Sequence, residues 1–296
     1  MSRDAKTILR RWIAPDLVAL ANAALGRGIR FKGEFASWEA AKAKAVGYEE
    51  QSILDRAITA AEAVRDGFAA WDRDGATFSK PDAPFPLLAG LLGAAARDGG
   101  RLSALDFGGA FGSTYSRCKP WLRALPDLSW TVVEQEHYVV AGRARFEVGR
   151  LRFASTIEEA AAASAPNVAL LCSVLQYLPD PAQTLRDIAR TSVKTIIIDR
   201  TPVIEAPESL ISVQHVPAQI IASSYPAHLF TRADLLAPLA ADFEVLTEFD
   251  AEDGAIFALG RRIAFKGVIF SRRESAPNMA FDAATKAKFV GTDERG

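Results

Sequence analysis

The sequence predicts a doubly wound α/β fold, in which a mostly parallel sheet of seven strands ends in an antiparallel hairpin. From about residue 100 onward, short apolar runs alternate with segments of helical character, which is typical of strand-helix-strand units. The first runs are apolar throughout, as in parallel strands that are covered by helices on both faces. Two later runs, separated by a short turn-like segment, predict the closing hairpin.

Residues 1–80 precede this alternation and are predicted to form a helical cap that serves as a substrate region. Ser37 is placed to N-cap a helix that Gly47 would end. A second helix is predicted between Glu49 and Trp71, where apolar residues recur at helical spacing, namely Ile53, Ala57, Ala61, Val64 and Phe68. The stretch 72–86 is rich in Gly, Pro and Asp and predicts a linker.

The main domain is predicted to span residues 81–273. Its expected parallel strands are residues 102–108, 130–135, 151–155, 167–174 and 195–201. Helix starts are indicated by a capping box of Thr156 with Glu159, by Asp180 before Pro181, and by Thr231 with Asp234 three residues later. The hairpin is predicted from residues 243–250 and 255–262, with 251–254 as its turn, and residues 274–296 are expected to form a flexible tail.

Composition limits the class of protein. A hydrophobic fraction of 49% with 24% charged residues is ordinary for a globular protein. A net charge of -1 gives the chain no electrostatic footprint for nucleic acid. Residues 1–32 carry seven Lys or Arg against two Asp, which could favour peripheral contact with an anionic membrane or an acidic partner, although a solvated helical face explains them more simply.

The cysteines and the apolar runs point to the compartment. Cys118 and Cys172 are too far apart in sequence to suggest a disulfide framework or a zinc site, and we expect no metal. Pro15 and Asp16 interrupt the first apolar stretch, and no run reaches the roughly 18 apolar residues of a membrane span. We therefore expect a cytoplasmic protein without a transmembrane segment.

The most informative motif is the glycine-rich stretch from Leu105 to Gly112, which follows an apolar strand. Gly108, Gly109 and Gly112 allow a sharp turn and a close approach of a ligand to the main chain, and Ala110 between them is a small residue that is also a candidate for cofactor binding. Asp106 stands at the strand end, where its carboxylate could orient a cationic amino acid portion of a ligand. Glu134 ends the next strand, where an acid can accept hydrogen bonds from both hydroxyls of a ribose.

These residues resemble motif I and the following acidic position of class I S-adenosylmethionine-dependent methyltransferases, which have a Rossmann-like fold. Ala110 departs from the commoner Asp-x-Gly-x-Gly-x-Gly. The chain is also similar, over residues 31–273, to a group of bacterial methyltransferases linked to surface-polysaccharide biosynthesis. The strings that carry this likeness are 31–35 with Trp38, 47–48, 105–112, 174–178, 199–201, 214–217, 224–226 and 265–267. The resemblance implies S-adenosylmethionine as cofactor and O-methylation of a saccharide or glycan precursor.

Further site residues are expected at the carboxyl ends of the later strands, where open α/β sheets bind ligands. Ser173 and Val174, at the end of the fourth strand, are candidates for cofactor binding, the following residues 175–177 could line its methionine side, and Phe153 is a candidate for its adenine side. Tyr177, Arg200 and Gln214 are candidates for binding the acceptor substrate. The candidate catalytic residues lie between the fifth strand and the Thr231 helix and are His215, His228 and Tyr225. Either histidine could act as a base, since an imidazole titrates near neutrality. Arg200 could equally pair with a neighbouring carboxylate, and each histidine could be structural.

Two other functions remain open on the sequence alone. A nicotinamide-dependent oxidoreductase or epimerase would require a Gly-x-Gly-x-x-Gly turn, which residues 108–112 do not give. A non-catalytic binding protein with a degenerate methyltransferase fold would account for Ala110 and for the lack of an obvious base.

Overall fold

The computed structural model describes residues 29–46, 50–216 and 223–273. The strands are β1 (Arg30–Phe35), β2 (Trp71–Arg73), β3 (Ala76–Phe78), β4 (Arg101–Phe107), β5 (Asp127–Val133), β6 (Leu151–Ala154), β7 (Val168–Cys172), β8 (Thr195–Ile204), β9 (Leu210–Val216), β10 (Ser223–Leu229), β11 (Phe243–Ala258) and β12 (Arg261–Arg272). The helices are α1 (Trp38–Lys42), α2 (Glu50–Arg65), α3 (Phe85–Arg97), α4 (Ser113–Leu122), α5 (Glu136–Arg145), α6 (Ile157–Ser164), α7 (Pro181–Ala189) and α8 (Arg232–Leu236). Short 3₁₀ turns cover Leu175–Tyr177 and Ala237–Leu239.

The main sheet has seven strands in the order β11-β12-β8-β7-β4-β5-β6. The five strands from β6 to β8 pair in parallel, whereas β12 pairs antiparallel with both β8 and β11. The predicted fold class is confirmed. Because β4 pairs with β5 on one side and with β7 on the other, the strand order reverses at β4. That reversal makes the carboxyl end of β4 the expected ligand-binding point of the sheet.

The predicted turn of the terminal hairpin is wrong. Residues 251–254 lie inside β11, where they form an irregularity between Asp250 and Ala255 that we call the β11 bulge. The chain reverses instead at Leu259 and Gly260, whose φ angles of 56° and 68° suit a two-residue hairpin turn. Residues 251–254, Ala-Glu-Asp-Gly, have the composition of a turn, which is why a turn was predicted there. A β-bulge also accommodates residues that do not continue the strand pairing.

The region before residue 81 is not wholly helical as predicted. Strand β1 pairs with β9, which pairs with β10, so the N-terminal region joins a second sheet of three strands. The predicted linker contains the β2–β3 hairpin, with Asp74-Gly75 at its tip. Phe68, placed on the helical stripe, follows the end of α2 and is 85% exposed.

Some predictions lie outside the described residues. These are the tail beyond residue 273, the helix end at Gly47, most of the basic segment 1–32 and the position of Pro217. Within the described part of the chain, no helix is long and apolar enough to cross a membrane.

The core lies on both faces of the main sheet, because each parallel strand sends alternate side chains to opposite faces. Leu102 and Leu170 pack towards α3 and α4, whereas Leu105 and Leu171 pack towards α6 and α7. The predicted helix caps at Ser37, Thr156, Asp180 and Thr231 are confirmed, since each side chain accepts a hydrogen bond from a backbone N–H in the first turn.

Candidate functional site

The glycine-rich loop 108–112 leaves the carboxyl end of β4 in a tight turn. Gly108 and Gly112 have φ angles of 73° and 84°, a left-handed region that favours glycine. A Cβ on Gly108 would lie 2.5 Å from Cγ2 of Val174, which follows β7. The loop backbone therefore lies directly against the end of the neighbouring strand.

Glu134 follows β5 and meets this loop. Its Oε1 accepts a hydrogen bond from the N–H of Ala110 at 3.2 Å, and its Oε2 accepts one from the N–H of Gln135 at 3.0 Å. Burial raises the pKa of Glu134, while these two hydrogen bonds act in the opposite direction. The structure thus brings together the predicted acid and the predicted loop.

Asp106 lies under the loop, and its side chain is fully buried. Its Oδ2 accepts a hydrogen bond from Nε1 of Trp130 at 2.9 Å, and its Oδ1 has no partner among the described residues. A Cβ on Gly109 would lie 2.5 Å from the Asp106 carboxyl carbon, so the Gly109 backbone covers the carboxylate. Burial raises the pKa of Asp106 to about 7. The expected direct role in orienting a ligand would require that cover to move.

Three residues other than glycine adopt left-handed backbone just beyond the parallel pairing of adjacent strands. They are Ala110 after β4, Ser173 after β7 and Arg200 in β8, with φ angles of 48°, 56° and 57°. Such conformations cost of order 1–3 kcal/mol each and concentrate at functional sites. Their grouping marks the β4–β7–β8 edge as the candidate site.

Ser173 is held by two hydrogen bonds. Its N–H donates to the carbonyl of Asp199 at 2.9 Å, and its Oγ accepts from Nε2 of Gln176 at 3.1 Å. Gln176 is fully buried, and its Oε1 has no partner among the described residues. A buried acceptor without a partner is unusual and is satisfied by a ligand or a water in most proteins.

Arg200 is directed by a bulge in β8. The pairing with β12 shifts so that Asp199 and Arg200 together face Gly267. The Arg200 side chain is only 16% exposed; its Nε donates to Asp253 at 2.7 Å and its Nη2 to Asp74 at 3.1 Å. Burial alone would lower the pKa of Arg200, but these two carboxylates hold it above its ordinary value. Of the two roles considered for Arg200, the structure shows the ion pair.

Tyr177, Gln214 and Tyr225 form a hydrogen-bonded group, although they come from three different elements. The Tyr177 hydroxyl donates to Oε1 of Gln214 at 3.2 Å, and Nε2 of Gln214 donates to the Tyr225 hydroxyl at 3.1 Å. The two tyrosine rings meet edge to face with centroids 5.0 Å apart. Burial raises the pKa of Tyr177, and the charge of Asp74 adds to that effect. The phenol therefore stays protonated at neutral pH.

The two histidines lie on the other face of the small sheet. Gln214 pairs with Tyr225 across β9 and β10 in regular register, so His215 and His228 project to the opposite side. Nε2 of His228 donates to the carbonyl of Leu178 at 3.1 Å, and its ring stacks on Trp38 with centroids 5.0 Å apart. Burial lowers the pKa of His228; burial, helped by Lys32 and Arg30, lowers that of His215.

Phe153 lies in the core of the sheet. It is 4% exposed, and its ring lies against Gly142 of α5, where a Cβ would come within 2.6 Å of Cδ1. Val174, by contrast, lies against Gly108 at the loop. The described residues hold no group of three or more His, Cys, Asp or Glu side chains arranged for a metal ion.

Sequence reasoning missed the acidic residues that complete this edge, Asp72, Asp74, Glu252 and Asp253. Asp72 accepts a hydrogen bond from Oγ of Ser113 at 2.6 Å, directly after the glycine-rich loop. The Asp74-Gly75 pair is a strong local signal for a hairpin and could have located the first two. No local sequence pattern predicts the ion pair between Asp253 and Arg200.

Comparisons with known proteins return structures only. No protein-family model matches the chain, and no curated protein matches it. Among solved structures, it is similar to the N-terminal domain of EvdMO1 with SAH bound, at 17% identity and a TM-score of 0.42, over 77% of this chain and 98% of that one. The SAM-bound amino pentose methyltransferase CalS10 from Micromonospora echinaspora gives 12% identity and a TM-score of 0.41, over 72% and 96%.

A third similar structure is the 1,6-didemethyltoxoflavin-N1-methyltransferase of Burkholderia thailandensis, at 14% identity and a TM-score of 0.36, over 82% of this chain and 93% of that one. The strand order of the protein itself, rather than these likenesses, defines its fold.

Proposed function

We propose that the protein is an S-adenosylmethionine-dependent methyltransferase whose cofactor binds at the carboxyl ends of β4 and β7. The observation that carries the proposal is the contact between the left-handed glycine-rich loop and Glu134. A loop that brings bare backbone to the strand ends, beside an acid after the next strand, suits a nucleoside with a charged tail.

The residues present fit such a cofactor. Glu134 supplies two carboxylate oxygens for the ribose hydroxyls, and both are already oriented by backbone N–H groups. The loop 108–112 would follow the nucleoside and its tail, because Gly108 and Gly109 leave its main chain without side chains, which lets a ligand approach closely. Ser173 and Val174 would border the methionine side. When bound, the cofactor supplies a methyl group activated by a sulfonium centre.

The protein's own contribution would be alignment and exclusion of water, since the electrophile comes with the cofactor. The Tyr177–Gln214–Tyr225 group offers donors and acceptors from an amide and two phenols, which suits an acceptor rich in hydroxyl groups. Together with the resemblance in sequence, this supports O-methylation of a saccharide or glycan precursor. A base role for His215 or His228 would require the acceptor to reach the outer face of the small sheet.

A non-catalytic binding protein is the second candidate, and two observations favour it. Ala110 occupies a left-handed position where glycine is unstrained, and Asp106 is covered by backbone. Such a protein would bind S-adenosylmethionine without transferring its methyl group. An oxidoreductase is disfavoured, because the loop lacks the required glycine spacing.

The test is calorimetric titration of the purified protein with S-adenosylmethionine and S-adenosylhomocysteine, with NAD and NADP as competing candidates. Glu134→Gln should weaken binding at least about tenfold, since a charged hydrogen-bonding partner is lost. The matched control is Glu147→Gln, a glutamate that pairs with Arg152 away from the loop. Binding of NAD alone, or binding insensitive to Glu134→Gln, would overturn the proposal; binding without methyl transfer to any of a panel of saccharides would favour the second candidate.

A further inference from the structure

The β2–β3 hairpin is too short to be stable by itself. Each strand has three residues, and an isolated two-stranded hairpin is marginal at best in water. Its first residue, Trp71, is 5% exposed and stacks on Phe78 with ring centroids 3.9 Å apart. Arg117 of α4 lies over the Trp71 ring at 4.3 Å. The base of the hairpin is thus anchored on the helix that follows the glycine-rich loop.

The tip of the hairpin is held by a different contact. Asp74 and Gly75 have φ angles of 52° and 72°, and Asp74 turns its carboxylate to Arg200 of β8. The same guanidinium group binds Asp253 in the β11 bulge. Arg200 therefore joins three segments that are remote in sequence: the hairpin tip, β8 and the bulge.

Two neighbouring arginines reinforce the same junction. Arg117 pairs with Asp82 and with Glu252 of the bulge, and Arg73 of the hairpin pairs with Glu252 at 3.2 Å. Arg56 of α2 lies against Gly75, 3.4 Å from where a Cβ would stand. The junction is made of charged groups rather than apolar packing, so its strength depends on the arginine geometry.

The hairpin tip lies on the same side as the Tyr177 group. Asp74 binds Arg200, and the carbonyl of the preceding Asp199 accepts a hydrogen bond at 2.9 Å from Ser173, whose Oγ accepts one from Gln176 beside Tyr177. Asp253 and Asp74 already occupy Nε and Nη2 of Arg200. A guanidinium group engaged in this way serves to hold the protein together, and it does so from strained left-handed backbone.

We propose that Arg200 is a positioning residue, which clamps the tip of the β2–β3 hairpin to the β11 bulge and so fixes one wall of the acceptor pocket. The clamp rests on the contacts of Arg200 with Asp74 and Asp253, and only the identity of the pocket as an acceptor site rests on the proposed function. The two halves of the clamp differ: the Asp253 side chain is 26% exposed, whereas that of Asp74 is 71% exposed. Because solvent weakens the second pair, the hairpin tip is the part that can release.

The clamp is tested by hydrogen–deuterium exchange of the peptide that spans residues 71–80. Arg200→Gln should make its amides exchange about fivefold faster, and Arg200→Lys should have a smaller effect because it keeps the charge but not the fork. Asp74→Asn should release the tip while leaving the Arg200–Asp253 pair intact, which covers the case that Arg200→Gln folds poorly. The control is Arg101→Gln at the opposite edge of the sheet, where Arg101 binds Asp98 and the carbonyls of Ser164 and Ala165.

Unchanged exchange of the hairpin in both Arg200→Gln and Asp74→Asn would overturn the clamp, as would an equal increase in Arg101→Gln. A second readout tests the pocket wall once an acceptor is known. Arg200→Gln should raise the KM for the acceptor about fivefold with little change in kcat, Arg200→Lys should raise it less, and both should leave S-adenosylmethionine affinity within about twofold. A loss of kcat at constant KM would contradict the wall. Failure of the wild-type protein to bind S-adenosylmethionine would overturn the proposed function, but would leave the exchange experiment valid.

Discussion

The N–H of Ala110 donates a hydrogen bond to the Glu134 carboxylate at 3.2 Å, although Ala110 holds a left-handed φ of 48°. The strained residue and the acid that receives its hydrogen bond thus form one unit, and the strain orients the N–H. Both features follow from the loop having to turn between the ends of β4 and β5.

Ala110→Gly should relieve this strain. We expect the free energy of unfolding to stay constant or rise by up to about 1 kcal/mol, and affinity for S-adenosylmethionine to be retained. Ala163→Gly in α6 is the control, where an ordinary helical position should lose about 1 kcal/mol. Urea unfolding of both variants measures the difference; an equal loss at both positions would show that Ala110 carries no strain.

Gly108→Ala should abolish cofactor binding. Its Cβ would lie 2.5 Å from Val174 Cγ2, and the backbone φ of 73° is itself unfavourable for alanine. We expect a loss of about 1–3 kcal/mol in stability. Adding Val174→Ala removes the collision but not the φ strain, so the double variant should recover part of the stability. Unfolding and calorimetry of the two single variants and the double variant provide the measurement, and strict additivity would contradict the contact.

Asp106 should make stability fall as the pH rises. Its pKa is raised from 3.8 to about 7, so the folded state binds the proton more tightly than the unfolded state. Its contribution is therefore largest below the unfolded pKa and is lost between about pH 4 and 7. Asp106→Asn keeps an acceptor for Trp130 but does not titrate. Relative to wild type, this variant should gain stability at pH 8 compared with pH 5 in urea unfolding. If the difference in unfolding free energy between Asp106→Asn and wild type is the same at pH 5 and pH 8, the pKa of Asp106 is not raised.

Tyr177→Phe should leave Oε1 of Gln214 without its donor. A buried acceptor that loses its partner costs about 1–3 kcal/mol, and the acceptor substrate should bind more weakly. Tyr115→Phe is the control, since Tyr115 packs against Trp130 in the core. Thermal unfolding and methyl-transfer assays on both variants separate the effects. Equal behaviour of the two would remove Tyr177 from the site.

The fold was predictable because it depends on apolar runs, and those at residues 102–108 and 195–201 recur as β4 and β8 within a few positions. The sequence analysis predicted no strand between the fifth strand and the Thr231 helix, where the structure has β9 and β10, and Pro226 interrupts the pattern of β10. Proline is tolerated at a sheet edge, and β10 is an edge strand.

The glycine-rich loop and Glu134 were found because each follows a strand directly, so that the sheet alone brings them together. The partners of Arg200 could not be found in that way. Asp74 and Asp253 lie 126 and 53 residues from it in sequence, and an ion pair over such separations has no local pattern. The sequence also did not predict which side chains share a face of the small sheet. Tyr225 and His228 lie on opposite faces because of the pairing register of β9 and β10.

The β11 bulge also sets an order of events during synthesis. Arg200 and the hairpin tip leave the ribosome before Asp253, so a nascent chain that ends before the bulge contains the whole glycine-rich loop but only one of the two carboxylates that bind Arg200. The residues of the cofactor side are complete once the chain reaches Val174, whereas the wall beside it waits for the whole closing hairpin, since β11 joins the sheet only through β12. The residues of the cofactor side and those of the closed pocket are therefore complete at different lengths of the growing chain.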